Sequence, residues 1–119
     1  MKHVMNLAEL LPQFDNLEFV LKTQRQLIKD FEKFNLTFEP QFQDKAFTKE
    51  AIVHRIAENI AELMKEGEQR LLQLLYTIDL PEKEFLVLIS DPHFLTLLSE
   101  KILFREALKV FLRTKFSTP

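Results

Sequence analysis

The 119-residue chain contains no cysteine and only one glycine, Gly67. Without cysteine it cannot form a disulfide framework, a thiolate zinc site or a cysteine nucleophile. Phosphate-binding loops and nucleophile elbows each need several glycines, so a single glycine excludes those sites as well. The composition therefore removes several common classes of enzyme site before any pattern is considered.

Long apolar runs are also missing. The longest is Phe85-Leu86-Val87-Leu88-Ile89, whereas a membrane span needs about twenty consecutive apolar residues. The first residues lack the apolar stretch of a signal peptide. We therefore predict a cytoplasmic protein with no membrane partner.

The remaining composition is that of an ordinary globular domain, with 46% hydrophobic and 29% charged residues. Twelve phenylalanines supply bulky side chains from which a few helices can build a core. The length suits one domain, and we predict a single domain over residues 1–119. Residues 1–13 are expected to form a short helix or an arm.

Apolar residues recur at intervals of three and four in four segments, which is the pattern of amphipathic helices. The predicted helices cover 16–34, 49–78, 81–89 and 92–116. Residues that favour helix caps precede each of them, namely Asp15, Thr48, Asp79 and Asp91. Gly67 falls on the apolar stripe of the second helix, where we expect a large side chain to pack closely against it.

Residues 35–47 break the helical pattern, because Pro40 cannot sit inside a helix. This segment is nevertheless apolar, with Leu36, Phe38, Phe42 and Phe47. We predict a connection that crosses the bundle and buries these side chains. The predicted fold class is all-α, a helical bundle of three to four main helices with an apolar crossing connection.

The helices carry more large apolar residues than a small bundle readily hides. The candidate interface residues are Phe19, Phe104, Phe111 and Phe116, and Phe85 belongs to the same group. The equally weighted alternative is that the N-terminal arm and the 35–47 connection cover them.

The net charge of −2 is unevenly spread, with +4 in residues 101–119 and −6 in the rest. The candidate basic face of the last helix consists of Lys101, Arg105, Lys109 and Arg113. It could bind nucleic acid or an acidic partner, or it could pair with the acidic row Glu50, Glu58, Glu62 and Glu66. The favoured interpretation is that both rows are solvated and have separate partners.

Two clusters of polar residues are candidate chemical sites. Glu50, His54 and Glu58 are spaced by four residues, but the Glu-x-x-His pair of carboxylate-bridged metal bundles is missing, so we predict no metal and no cofactor. Tyr76, Asp79, Glu82 and Glu84 cluster near the end of the second helix, where helix capping explains Asp79 and Glu82. We therefore predict that the protein is not an enzyme.

Residues 75–82 and 102–110 resemble small uncharacterised helical proteins of bacterial genomes. The resemblance extends over about the last 45 residues, rests on helix-boundary chemistry and implies a helical fold without any activity. The sequence thus predicts an interaction or regulatory domain that binds itself, as a homodimer, or another protein. The alternative is a nucleic-acid or acidic-partner binder that uses the basic last helix.

Overall fold

Six α-helices make up most of residues 7–116, the part of the chain that the structure, a computed structural model, describes. They are α1 (Leu7–Leu10), α2 (Leu17–Glu32), α3 (Lys49–Met64), α4 (Glu68–Thr77), α5 (Glu82–Leu88) and α6 (Phe94–Phe116). Short 3₁₀ turns occupy Leu11–Asp15 and Pro40–Gln43. The same residues contain no strand, which confirms the predicted all-α fold class.

The predicted cap of α3 is confirmed, whereas that of α2 is wrong by one residue. Thr48 Oγ1 accepts a hydrogen bond from the backbone N–H of Ala51 at 3.1 Å. At α2, Asn16 rather than Asp15 accepts from the N–H of Phe19, also at 3.1 Å. The shift arises because Asp15 ends the preceding 3₁₀ turn, while Asn16 has the extended backbone of a cap residue.

The predicted helix over 49–78 is wrong, since the chain breaks it into α3 and α4 at Gly67. Gly67 has a φ of 113° and lies immediately before α4 instead of inside a helix. Leu63 and Leu71, on either side of the break, are both fully buried. The apolar stripe therefore continues across the break, because both helices turn their apolar faces toward one core.

Two further helix ends use left-handed residues that are not glycine. Asp79 has a φ of 64° and follows α4, so it ends that helix and does not cap α5 as predicted. The N–H of Leu80 donates to the carbonyl of Leu75 at 2.8 Å, which is the long hydrogen bond of a Schellman motif. Asn35, with a φ of 60°, ends α2 in the same way.

Helix α6 lies at the centre of the bundle. It packs chiefly against α3 and α2, and also contacts α5 and α1. Its buried residues Leu98, Ile102, Leu103 and Ala107 are 0% exposed. No helix among the described residues is long and apolar enough to cross a membrane.

The connection between α2 and α3 buries Leu36 and Phe42 as predicted, whereas Phe38 and Phe47 are only partly buried against the core. The side chain of Gln24, itself buried in α2, holds this connection. Its Nε2 donates to the carbonyls of Phe42 at 2.7 Å and Lys45 at 2.9 Å, and its Oε1 accepts from the N–H of Phe47 at 2.7 Å. One amide thus satisfies three backbone groups that would otherwise lack partners.

Gly67→Ala distinguishes a glycine inside one continuous helix from a glycine at a break between two helices. Inside a helix, alanine would stabilise the fold by about 1 kcal/mol. Here we expect the free energy of unfolding to fall by about 1–3 kcal/mol, because this backbone region is open essentially to glycine alone. Urea denaturation measures the change, with Gln69→Ala in the first turn of α4 as a near-neutral control. A more stable Gly67→Ala variant would contradict the break.

Gln24→Ala is expected to lower the free energy of unfolding by about 2–4 kcal/mol, since it leaves three backbone groups of the connection unsatisfied. Gln41→Ala, at an exposed glutamine of the same connection, should change the stability by less than about 0.5 kcal/mol. Thermal and urea unfolding compare the two variants. Equal stabilities would show that Gln24 does not hold the connection.

Candidate interaction surface and buried charge cluster

The structure separates the phenylalanines of the candidate interface. Phe19 is only 8% exposed and is therefore not available to a partner, while Phe104 and Phe111 are half-buried. Phe85, from the same group, is fully buried. The side chain of Phe116 lies outside the described residues.

The N-terminal arm covers part of this set, as the alternative interpretation predicted. Leu10 of α1 is buried together with Phe19 in a small apolar cluster against α6. The ring of Phe14, in the 3₁₀ turn that follows, meets the rings of Phe19 at 5.8 Å and Phe104 at 6.1 Å, both edge to face. Phe14 thus covers one side of Phe104, whose ring stays half-buried.

An apolar groove lies on the open side of Phe104, bounded by α1, α5 and α6. It encloses about 490 Å³. Its apolar lining consists of Leu10, Leu80, Leu88, Leu97, Phe104 and Leu108. Its charged lining consists of Glu84, Glu100, Lys101 and Arg105.

Helix α5 adds an exposed apolar surface beside the groove. Leu86, Val87 and Ile89, next to the groove residue Leu88, are 55%, 76% and 43% exposed. From the sequence, this segment was used to exclude a membrane span and to predict a helix over 81–89, but of its apolar residues only Phe85 was considered for an interface. The missed signal is that the apolar run from Phe85 to Ile89 extends around more than a full helical turn, so only part of it can face the core.

The candidate basic face is occupied by partners within the chain. Lys101 Nζ lies 2.7 Å from Glu84 Oε1, and Arg105 Nη2 lies 3.6 Å from Asp79 Oδ2. Arg105 also donates to the carbonyl of Ile78 at 3.2 Å. These contacts tie α6 to α5 and to the turn that follows α4.

Three members of the acidic row have partners close in sequence. His54, Lys65 and Arg70 lie within 4 Å of Glu58, Glu62 and Glu66, respectively. The ion pairs of the basic row go to residues outside α3, so the two rows keep separate partners as predicted. The basic row is not fully solvated, however, because Lys109 contacts the buried Asp30 and Glu106.

The two polar clusters weighed as chemical sites are open to solvent. Within residues 7–116 no group of three or more histidine, aspartate or glutamate residues is arranged to hold a metal ion. Tyr76, Asp79 and Glu82 line an open cavity of about 900 Å³, whereas Glu84 belongs to the groove. Tyr76 is 84% exposed, and none of these carboxylates is buried.

A buried charge cluster between α2 and α6 is the feature that sequence reasoning missed. Asp30 is 3% and Glu106 0% exposed. Lys109 Nζ lies 2.9 Å from Asp30 Oδ2 and 2.7 Å from Glu106 Oε1. Gln26 donates to Asp30 at 3.1 Å and accepts from Arg113 at 2.6 Å. Lys109 and Arg113 of the basic face therefore fasten α6 to α2.

The two carboxyl groups differ in their hydrogen bonds. Asp30 accepts hydrogen bonds from Gln26 and Lys109. Neither oxygen of Glu106 accepts a well-formed hydrogen bond, although Lys109 Nζ lies close to its Oε1. Burial raises the pKa of Glu106 to about 8, and the neighbouring Asp30 adds to the rise. Burial also acts to raise the pKa of Asp30, but its hydrogen bonds outweigh burial and hold that pKa below its usual value.

A sequence signal for this cluster exists. Glu106 follows Ile102 by four residues and precedes Val110 by four, so it occupies a core position of α6. Asp30 likewise follows Leu27 by three residues and directly precedes Phe31, both of which are fully buried. A carboxylate at each of two core positions predicts a buried pair that needs a cation or a proton.

Comparisons with protein-family models, curated proteins and solved structures found no significant match. The resemblance to bacterial helical proteins therefore stays a prediction.

Lys109→Met tests the structural role of the cation. It leaves two buried carboxyl groups without their ammonium partner, and we expect the free energy of unfolding to fall by about 3–5 kcal/mol. Lys115→Met, at an exposed cation of the same helix, should cost less than about 0.5 kcal/mol. Urea denaturation at neutral pH compares the two variants, and a similar loss in both would contradict the cluster.

Proposed function

We propose that this chain is a non-enzymatic protein-interaction domain that self-associates through the groove between α5 and α6. The observation that carries the proposal is this apolar groove beside the exposed Leu86, Val87 and Ile89. An apolar surface of this kind usually marks a protein interface. The proposal retains the cytoplasmic location predicted from the sequence.

A second copy of the chain suits this surface because α5 contributes both a wall of the groove and the exposed apolar residues beside it. Leu88 lines the groove, while its neighbour Val87 is exposed on α5. In a two-fold pair the same patch of each copy faces the other. The α5 helix of one copy can then enter the groove of its partner, so that both copies bury their exposed apolar residues at once.

The charges at the groove also favour a second copy of the chain as the partner. Two carboxylates, Glu84 and Glu100, stand against two cations, Lys101 and Arg105, so the groove carries no net charge. A strongly charged groove would repel its own copy, whereas this one allows opposite charges to meet across the two-fold axis.

Binding of nucleic acid or of an acidic partner through α6 has less support. Lys101, Arg105 and Lys109 each lie against a carboxylate of this chain, and Arg113 is hydrogen-bonded to Gln26. A phosphate would have to displace these partners. Such binding would weaken steeply as salt is added, which distinguishes it from apolar self-association.

Val87→Lys is expected to weaken self-association by about tenfold or more, because it places a charge on the exposed apolar side of α5 that the partner copy would bury. Analytical ultracentrifugation over a range of concentrations measures the dimer dissociation constant. The stability of the monomer should change little, since Val87 is 76% exposed.

Leu17→Lys is the matched control. Leu17 is an exposed leucine, 69% accessible, in the first turn of α2 and outside the groove. It should leave the dissociation constant unchanged. A wild-type chain that stays monomeric at every concentration, or a Val87→Lys variant that associates as tightly as wild type, would overturn the proposal.

A further inference from the structure

The contact between α2 and α6 contains two buried carboxyl groups and one ammonium group that the proposed interaction surface does not use. We propose that Asp30, Glu106 and Lys109 form a proton-binding site, in which a proton held by Glu106 secures the packing of α6 on α2. This proposal goes beyond self-association and does not depend on it.

The charges of the cluster do not balance without a proton. With both carboxyl groups ionised, Asp30 and Glu106 carry two negative charges against the single positive charge of Lys109. Lys33 Nζ is 3.7 Å from Asp30 Oδ1, but its side chain is 54% exposed and it contacts Asp30 from the solvent side. An unbalanced charge in a buried contact is costly, so the site favours one proton.

Among the described residues, no ion pair joins a cation of α1, α3 or α5 to Asp30 or Glu106. From α3, Lys49 lies over the ring of Phe104 at 5.7 Å. From α5, Glu84 is paired with Lys101. From α1, the charged residue is Glu9, which is acidic and exposed.

Glu106 is the member that holds the proton. Asp30 already accepts hydrogen bonds from Gln26 and Lys109, which stabilise its charged form. Glu106 is completely buried, and neither of its oxygens accepts a hydrogen bond. A protonated Glu106 has an O–H to donate to the nearby Asp30 carboxylate, so protonation satisfies both groups.

Loss of this proton to solvent leaves two adjacent carboxylates in the contact. Their repulsion and the burial of a second negative charge against one cation both oppose the packing of α6 on α2. The pKa of Glu106 is raised from 4.5 to about 8, so its stabilising effect is full below the unfolded value and is lost as pH rises through about 8. Asp30 acts at the acidic end, because its lowered pKa gives stability that is lost as pH falls.

The thermal unfolding midpoint of the full chain, measured from about pH 5 to about pH 9, tests the site. We expect the wild-type midpoint to fall as pH rises and to level off once Glu106 is ionised. Glu106→Gln keeps the shape and a hydrogen-bond donor but cannot titrate, so its midpoint should stay level over the same range. Glu58→Gln, at an exposed carboxylate of α3, should follow the wild type.

Infrared spectroscopy of the folded wild-type protein provides a readout that does not depend on whether the variant folds. A carbonyl band of a protonated carboxylic acid should be present at neutral pH and disappear above about pH 9. Absence of that band at neutral pH would overturn the proposal. A wild-type midpoint that is independent of pH, or a fall of equal size in Glu106→Gln, would also overturn it.

Discussion

The packing of α6 against α2 and α3 is the contact on which the other parts of the structure depend. Helix α6 is apolar over a wide arc, and α1, α2, α3 and α5 all contact it. A helix with buried residues on several sides fixes the positions of all its neighbours at once. The groove, the covered phenylalanines and the buried charges are all consequences of where those neighbours meet α6.

The charge cluster gives this central contact a polar element in an otherwise apolar surface. Ile102 and Val110, one turn before and one turn after Glu106, are buried beside it. Apolar packing alone tolerates small rotations of a helix, whereas the contacts of Lys109 with Asp30 and Glu106 are made at one orientation. We interpret the cluster as the feature that fixes the rotation of α6 on α2, a role best attested for buried polar groups in helical coiled coils.

The helical periodicity of the sequence was enough to predict the fold class, α2, α5 and α6 to within a few residues, and the apolar connection held by Gln24. It could not predict the break at Gly67, because the apolar spacing continues from Leu63 to Leu71 across it. It also assigned Asp79 to the wrong helix end. Aspartate favours both a cap and a left-handed helix end, and only the surrounding packing decides between them.

The candidate site was less predictable than the fold. Periodicity shows which residues share a face of a helix but not which helix covers that face. Phe104 was predicted at the surface and lines the groove, while Phe19 was grouped with it and is covered by the arm. The basic face was identified as a row of cations, but its partners Asp30 and Glu84 lie on two other helices, α2 and α5, which periodicity within α6 cannot reveal.

Native-state amide hydrogen exchange tests the central position of α6 most directly. Amides in the most deeply packed elements exchange only when the whole protein unfolds. We predict that the slowest amides lie around Ile102, Leu103 and Glu106 in α6 and in the facing turns of α3, and that they exchange at the rate set by global unfolding. Fast exchange in α6 while α2 and α3 remain protected would contradict the account.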